Sequence, residues 1–440
     1  MKSLHAVITK LTGYLILFLF FDNDLKAQTA AKGKFKAAVV KINITPHDSQ
    51  YLLGYKERKS TGVHDSIYEK VLVMDDGLTQ FILISSDICL FSPVEYEHLA
   101  KNVKNKYGIE KTQIWWTVTH THSAPELGGE GIKLISGRDN HVRDTNYTAI
   151  VEKKLMEGIA EARMKLEPAR LGAGWGFSQA NINRRAIDIN GTASLGLNPD
   201  GPVDRRIGLL KIDRVNGKPL AIIANYPIHG TVLGENSNEI SGDVPGIVAA
   251  YVEGKTGAPV LFINGAAGNL APIYSVYDNP EIGHLNQFCV LLGDKILDAY
   301  HKIQMTTDDI NLKTGQMIVE APKRADLMWP DYLNNYISVK KTGPSMVRLP
   351  VSFLKINDDI AIWSTPLELF CELSNEIRDN SPFPYTFYFG YSNGWLGYLP
   401  SESEWQHGGY ETSVTPFTPE ADKLLIESVI GYLKGELKSK

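Results

Sequence analysis

His120 and His122 stand two residues apart in Thr119-His120-Thr121-His122-Ser123-Ala124-Pro125, directly after the apolar run Ile114-Trp115-Trp116-Thr117-Val118. On a β-strand, residues i and i+2 project from one face, so the spacing predicts two imidazoles sharing a pocket at the strand's C-terminal edge. Such a pair binds a metal or moves a proton, whereas a lone strand-end histidine often only hydrogen-bonds a carbonyl. His229 follows a second apolar run, residues 221–228, and Glu239-Ile240-Ser241-Gly242-Asp243 comes shortly after it. Taken singly, His229 reads as a core histidine; beside His120 and His122 the balance shifts to a third imidazole of the same site. Glu368 lies in Ile362-Trp363-Ser364-Thr365-Pro366-Leu367-Glu368, at the junction of an apolar strand and a helix. There it either caps the helix or supplies a carboxylate. Imidazole nitrogen with carboxylate oxygen is a donor set for zinc, and catalytic zinc keeps one position open for water.

Two loops add further candidates. Gly265-Ala266-Ala267-Gly268-Asn269-Leu270-Ala271-Pro272 follows a short buried strand. It is either a tight turn or a place where small residues let a substrate approach free N–H groups that stabilise an oxyanion. The stretch around Trp395, Tyr398 and 405–410 is rich in glycine and aromatics, and its tyrosines serve packing or catalysis.

The elements that must position these residues alternate in type. Residues 35–43, 68–74, 80–86, 113–119, 221–226 and 260–263 read as strands; residues 147–165, 246–256, 284–304 and 419–437 read as helices. This pattern predicts an α/β, mixed α+β fold, a large mixed β-sheet core flanked by helices. Residues 188–204 and 321–345 read as long excursions, either pocket walls or surface insertions. Forty-five basic and 50 acidic residues give a net charge of -5, and no basic block interleaves with aromatics, which argues against nucleic acid as a partner. The clustered aspartates of a two-metal phosphatase or phosphodiesterase are missing. Cys89, Cys289 and Cys371, odd in number and in apolar contexts, are expected to be buried free thiols without chemistry. Lys2, Lys10, the apolar residues 11–21 and Ala27 predict a signal peptide over 1–27, cleaved after Ala27. The expected mature chain, 28–440, is secreted or periplasmic and has no transmembrane span.

In this order Thr119 to Pro125, Asn181-Ile182-Asn183-Arg184, His229 with Ile240 to Asp243, Gly265 to Pro272, Pro366-Leu367-Glu368 and Trp395-Leu396-Gly397-Tyr398 resemble the neutral/alkaline non-lysosomal ceramidases along nearly the whole mature chain. The resemblance implies a zinc amidase with one Zn2+ per chain, held by His120, His229, Glu368 and Tyr398. It implies that His122 and Tyr410 handle protons and the oxyanion, and that Arg184 contacts the substrate or intermediate. Ala271 stands where the family carries a serine, so an acyl-enzyme at that position is excluded and metal-activated water is the expected nucleophile. The chain closes soon after Tyr410, and no immunoglobulin-like C-terminal domain is expected. The expectation is a zinc hydrolase of a small-molecule, lipid or glycan N-acyl substrate. The alternatives are an esterase or deacylase acting on glycan-linked acyl groups, and a binding protein that keeps the fold without catalysis.

Overall fold

The computed structural model describes residues 34–128, 145–275, 284–339 and 342–438. The proposed signal peptide lies outside them. The fold is mixed α/β: an eight-stranded sheet, in which Lys36–Asn43 lies between Glu167–Phe177 and Tyr68–Asp75, packs against a second sheet built on Leu312–Pro322, Met346–Ile356, Ile360–Ser364 and Tyr385–Phe389. Between the sheets lies an apolar layer that takes Leu72, Leu83 and Trp115 from the first and Leu354, Ile362 and Phe387 from the second.

The strand Ile114–Val118 shows how sequence becomes packing. All five residues are buried, and alternation sends Trp115 into the inter-sheet layer and Trp116 into the opposite core. Trp116 stacks on Phe91 with ring centroids 4.2 Å apart. Truncating a buried aromatic of this kind costs about 3–5 kcal/mol.

Three parallel pairs are each joined through a helix. Gln80–Ser86 passes through Pro93–Tyr107 to Ile114–Val118, Pro219–Tyr226 through Asp243–Thr256 to Val260–Asn264, and Ile360–Ser364 through Cys371–Asp379 to Tyr385–Phe389. The first helix is delimited by its ends: the Ser92 side chain accepts from Val94 N, Pro93 opens the helix, and Gly108 closes it at φ 70°. The C-terminal ends of the pairs are stitched together. Asn264 Nδ2 donates to Thr119 O at 3.2 Å, Gly390 N to Asn264 O at 2.9 Å, and Asn393 N to Trp116 O at 2.7 Å. Ligands of sheets with parallel strands sit off the carboxyl ends of those strands, and every candidate ligand discussed below follows one of these ends.

The structure departs from the sequence expectation in several places. Residues 188–204 are not a plain excursion: Asn181–Ile187 and Ala193–Asn198 form a hairpin, with Leu270–Pro272 pairing on its other side. The predicted helix over 284–304 is one run with a π-helical segment, Cys289–Gly293, at its middle. All three cysteines are free, but Cys289 is only half-buried and Cys89 lies beside His120. No helix among the described residues is long and apolar enough to cross a membrane.

Candidate metal centre and its cavity

His120 and His122 meet, though not by strand alternation. The strand ends at Val118, and His120 adopts a left-handed backbone (φ 62°) because Thr119 N and His120 N bond to the carbonyls of Ser86 and Ile88 on the neighbouring strand's exit. The resulting turn stands the two rings nearly perpendicular, centroids 4.7 Å apart, with their Nε2 atoms 3.2 Å apart. His229 follows Pro219–Tyr226 and is completely buried. Its loop is held by Asp243, whose carboxylate accepts from Val232 N at 3.1 Å and Leu233 N at 3.0 Å.

His120 Nδ1 lies 3.0 Å from Cys89 O, and His229 Nδ1 lies 2.8 Å from Leu270 O. A carbonyl can only accept, so each Nδ1 carries a proton, and Nε2 is the ring atom turned towards the centre. Between them sits Glu368. Its Oε1 accepts from Trp395 Nε1 at 2.9 Å; its Oε2 is 3.3 Å from His120 Nε2 and 3.4 Å from His229 Nε2. That oxygen is buried and has no hydrogen-bond partner among the described residues. Glu368 therefore does not cap the following helix, whose N-cap is Phe370.

A buried carboxylate oxygen left facing two imidazole nitrogens fits a cation. The ligand atoms of His120, His229 and Glu368 lie within 4.8 Å of one another, and an oxygen without a partner in a buried place calls for one. Tyr398 is the register partner of Glu368 in a short parallel pair, so the two side chains emerge side by side. Two imidazoles and a carboxylate are donors for a divalent metal ion, and the Tyr398 phenol stands beside them. The carbonyl and indole partners behind the ligands are the kind that orient metal-binding side chains.

Electrostatics agree with a site that expects positive charge. Burial alone would push Glu368 up, but His120 and His229 hold it well below the usual carboxylate range. Burial disfavours charge on His120, yet Cys89 and Glu368 outweigh it and raise His120 to about 10, so metal binding there would release a proton. Burial and Arg184 push His229 down to about 3; burial and the charge on His120 hold His122 well below its ordinary value. Burial raises Tyr398 well above the ordinary tyrosine value.

Arg184 donates from Nη1 towards His229 Nε2 at 3.0 Å and from Nη2 to Tyr398 OH at 3.2 Å. The His229 electron pair it takes is the one a metal ion would use. Tyr410, half exposed, sets its ring 5.7 Å from that of Tyr398. His120, His122, Arg184, Glu368, Tyr398 and Tyr410 all line one cavity of 1340 Å³, with His229 buried behind it. The cavity's other walls include Leu195, Leu327, Met328, Trp329 and Leu333, so both predicted excursions contribute to the pocket.

In the Gly265–Pro272 loop two of the N–H groups are already engaged within the scaffold. Gly268 N bonds to Leu369 O at 2.9 Å and Leu270 N to Ala267 O at 3.0 Å. A Cβ on Gly268 would lie 2.6 Å from Glu368 O, so glycine there lets the loop brace the Glu368 strand. Ala271 lines the cavity. Sequence reasoning assigned no role to Trp395, to Tyr391 stacked 4.4 Å from His120, or to Gly54 and Tyr55 against His122. The aromatic loop from Gly390 to Tyr398 was a signal for the first two; Gly54 left none.

Residues 37–263, more than half of the 440-residue chain, match the family model "Neutral/alkaline non-lysosomal ceramidase, N-terminal". The chain belongs to this ceramidase family. His120, His122, Arg184 and His229 fall inside the matched region; Glu368, Tyr398 and Tyr410 lie beyond it. Neutral ceramidase B of Dictyostelium discoideum is 24% identical over 217 residues, 47% of this chain and 30% of the relative. Neutral ceramidase of Oryza sativa subsp. japonica is 22% identical over 209 residues, 46% and 26% respectively. The aligned stretch thus spans under a third of these curated ceramidases. The crystal structure of neutral ceramidase from Pseudomonas aeruginosa superposes with a TM-score of 0.72 at 17% identity, covering 91% of this chain and 75% of that one. A ceramidase complexed with C2 gives 0.73 at 16% identity, covering 92% and 75%. The ceramidase fold therefore extends past the region matched by the family model.

Proposed function

We propose that this protein is a zinc-dependent hydrolase of an N-acyl amide with an apolar acyl chain, such as a ceramide-like lipid. The observation that carries the reading is Glu368 Oε2, buried between His120 Nε2 and His229 Nε2 and without a hydrogen bond among the described residues, at the floor of a 1340 Å³ cavity with apolar walls. Family membership supplies the bond class. In this proposal His120, His229, Glu368 and Tyr398 hold one Zn2+. When bound, zinc lowers the pKa of water from 15.7 to about 7 and polarises a carbonyl.

The chain's own side chains supply the rest. His122 Nε2 faces the same centre and can take a proton from the attacking water and return it to the leaving amine. Tyr410, which burial and Glu368 push up to about 12, keeps its hydroxyl proton at neutral pH and can donate it to a developing oxyanion. Arg184 brings a fixed positive charge to the same wall. Ala271 offers no hydroxyl, so no covalent intermediate forms at that position. The segment 1–27 is proposed to be a signal removed on export, which N-terminal sequencing of the mature protein tests.

Metal analysis of the purified protein, with hydrolysis of N-acyl and O-acyl probes before and after chelation, tests the assignment. About one zinc per chain and chelator-sensitive cleavage of an N-acyl probe are expected. Cleavage of O-acyl probes alone would replace the amidase reading with an esterase. Absence of zinc after reconstitution would make the histidines structural.

A further inference from the structure

Outside the candidate ligands, a group of buried charge joins the hairpin strand Asn181–Ile187 to the segment that carries Tyr410. Glu411 is 1% exposed, Arg185 2% and Arg184 7%. Glu411 Oε1 accepts from Arg184 Nε at 2.9 Å, and its Oε2 accepts from Arg185 Nη1 at 2.6 Å. Arg185 then donates from Nε to Glu404 Oε2 at 2.7 Å and from Nη2 to Gly408 O at 2.7 Å. Consecutive strand residues normally point to opposite faces, yet one carboxylate engages both guanidinium groups, one oxygen each. Gly409 (φ 91°) makes the close approach possible, since a Cβ there would meet Arg185 and Ala193 at 3.1 Å.

We propose that Glu411 is a positioning residue: together with Arg185 it fixes Arg184 and the Tyr410 segment as one unit over the His120–His229–Glu368 centre. The guanidinium fork is rigid, but the chain that carries it is not. Arg184 uses Nη1 and Nη2 towards His229 and Tyr398, and among the described residues the Nε bond to Glu411 is the one that holds the guanidinium from behind, in the rotation that sends both nitrogens there. Tyr410 precedes Glu411 directly, so the same carboxylate fixes the start of the short helix Tyr410–Val414. A buried ion pair with no other role would be replaceable by apolar packing; this one is bonded at one end to groups that face the cavity. The inference rests on the proposed hydrolase for its kinetic consequence and on geometry alone for its structural one.

The test has two arms. In the first, hydrogen–deuterium exchange of the full-length protein is followed in peptides covering 402–414. Glu411→Gln is expected to speed exchange there about tenfold or more, with the strand Ile114–Val118 unchanged. Unchanged exchange in 402–414 would overturn the clamp, and this arm needs no substrate. In the second, kcat and KM for a fluorescent N-acylsphingosine are measured in a double-mutant cycle with Arg184→Ala. Glu411→Gln is expected to lower kcat about 10- to 100-fold, with KM within about threefold and zinc per chain unaltered. In the Arg184→Ala background it should lower kcat by less than about threefold. Fully additive losses would show that Glu411 does not act through Arg184. If Glu411→Gln does not fold, Arg185→Lys, which keeps the charge but cannot hold Glu411, Glu404 and Gly408 together, takes its place in both arms with the same criteria. Failure of the wild-type protein to cleave the probe would count against the proposed function, and the exchange arm would still decide the clamp.

Discussion

At the floor of the cavity His120 is 1% exposed, His229 0% and Glu368 2%; at its mouth Met328 is 95% exposed, Leu195 63% and Tyr410 53%. The floor groups follow the ends of parallel strands from both sheets, and each is fixed by a second bond, His120 to Cys89 O, His229 to Leu270 O and Glu368 to Trp395 Nε1. The mouth residues come from the hairpin strand Ala193–Asn198, the stretch before Asp331–Tyr336, and the segment at Tyr410. The difference separates two tasks. A donor set must hold its geometry to a fraction of an ångström, whereas a wall for an alkyl chain needs only apolar area, which is non-directional.

Changes at the floor should abolish function without unfolding, and changes at the mouth should only tune it. The largest effect is expected from His229→Ala: loss of stoichiometric zinc and a fall in activity of about a thousandfold or more, with the circular dichroism spectrum retained. Full zinc content in this variant would remove His229 from the ligand set. Trp395→Phe deletes the indole N–H that Glu368 Oε1 accepts. Loss of such a supporting partner typically costs about 10- to 100-fold in metal affinity or activity, and competition with a chelator measures it. Wild-type affinity would show that Glu368 is oriented by something else. Gly54→Ala puts a Cβ 2.5 Å from the His122 ring at a residue with φ 115°. Turnover should drop about tenfold with zinc content intact; an unchanged kcat would detach His122 from proton transfer. At the mouth, Met328→Ser should raise KM for a long N-acyl chain about two- to fivefold, leaving a short-chain substrate unaffected. Equal effects on both chain lengths would dissolve the division between floor and mouth.

The same division explains what could be read from sequence. The His120 and His122 pair was legible because its members are neighbours in the chain. Their geometry was not, since the left-handed turn at His120 depends on carbonyls at Ser86 and Ile88, some 30 positions earlier. Arg184, Tyr398 and Tyr410 were assigned through family resemblance; nothing in their own spacing singles them out. Trp395 and Glu411 were assigned no role because they act on groups 27 and 227 residues away. The helix at 145–164 carries its periodicity locally, and the strands at 80–86 and 114–118 stand out as short apolar runs buried on both faces. The hairpin after Asn181 is rich in Gly, Asn and Asp and becomes a strand pair only with Leu270–Pro272 beside it, a case of tertiary pairing overriding local propensity.

The smallest expected effect is one on neither floor nor mouth, and it tests whether the scaffold can be altered without touching either. Glu69 is fully buried opposite Ser86 in the sheet. Its Oε1 accepts from Ser86 Oγ at 3.1 Å, while Oε2 has no hydrogen-bond partner among the described residues. Burial raises its pKa to about 8, well above the ordinary glutamate value of 4.5. The folded chain therefore holds this proton more tightly than the unfolded chain does, so between about pH 4.5 and 8 the native state binds more protons and stability falls as pH rises. Glu69→Gln removes the ionisation while nearly keeping the shape. Denaturant unfolding at pH 5 should find the variant and the wild type nearly equal, and at pH 9 the variant should be more stable by at least about 1 kcal/mol. Zinc content and kcat should not move. A stability difference independent of pH would mean that Glu69 does not titrate in this window, and a change in kcat would mean that the sheet beneath the site transmits strain to the floor.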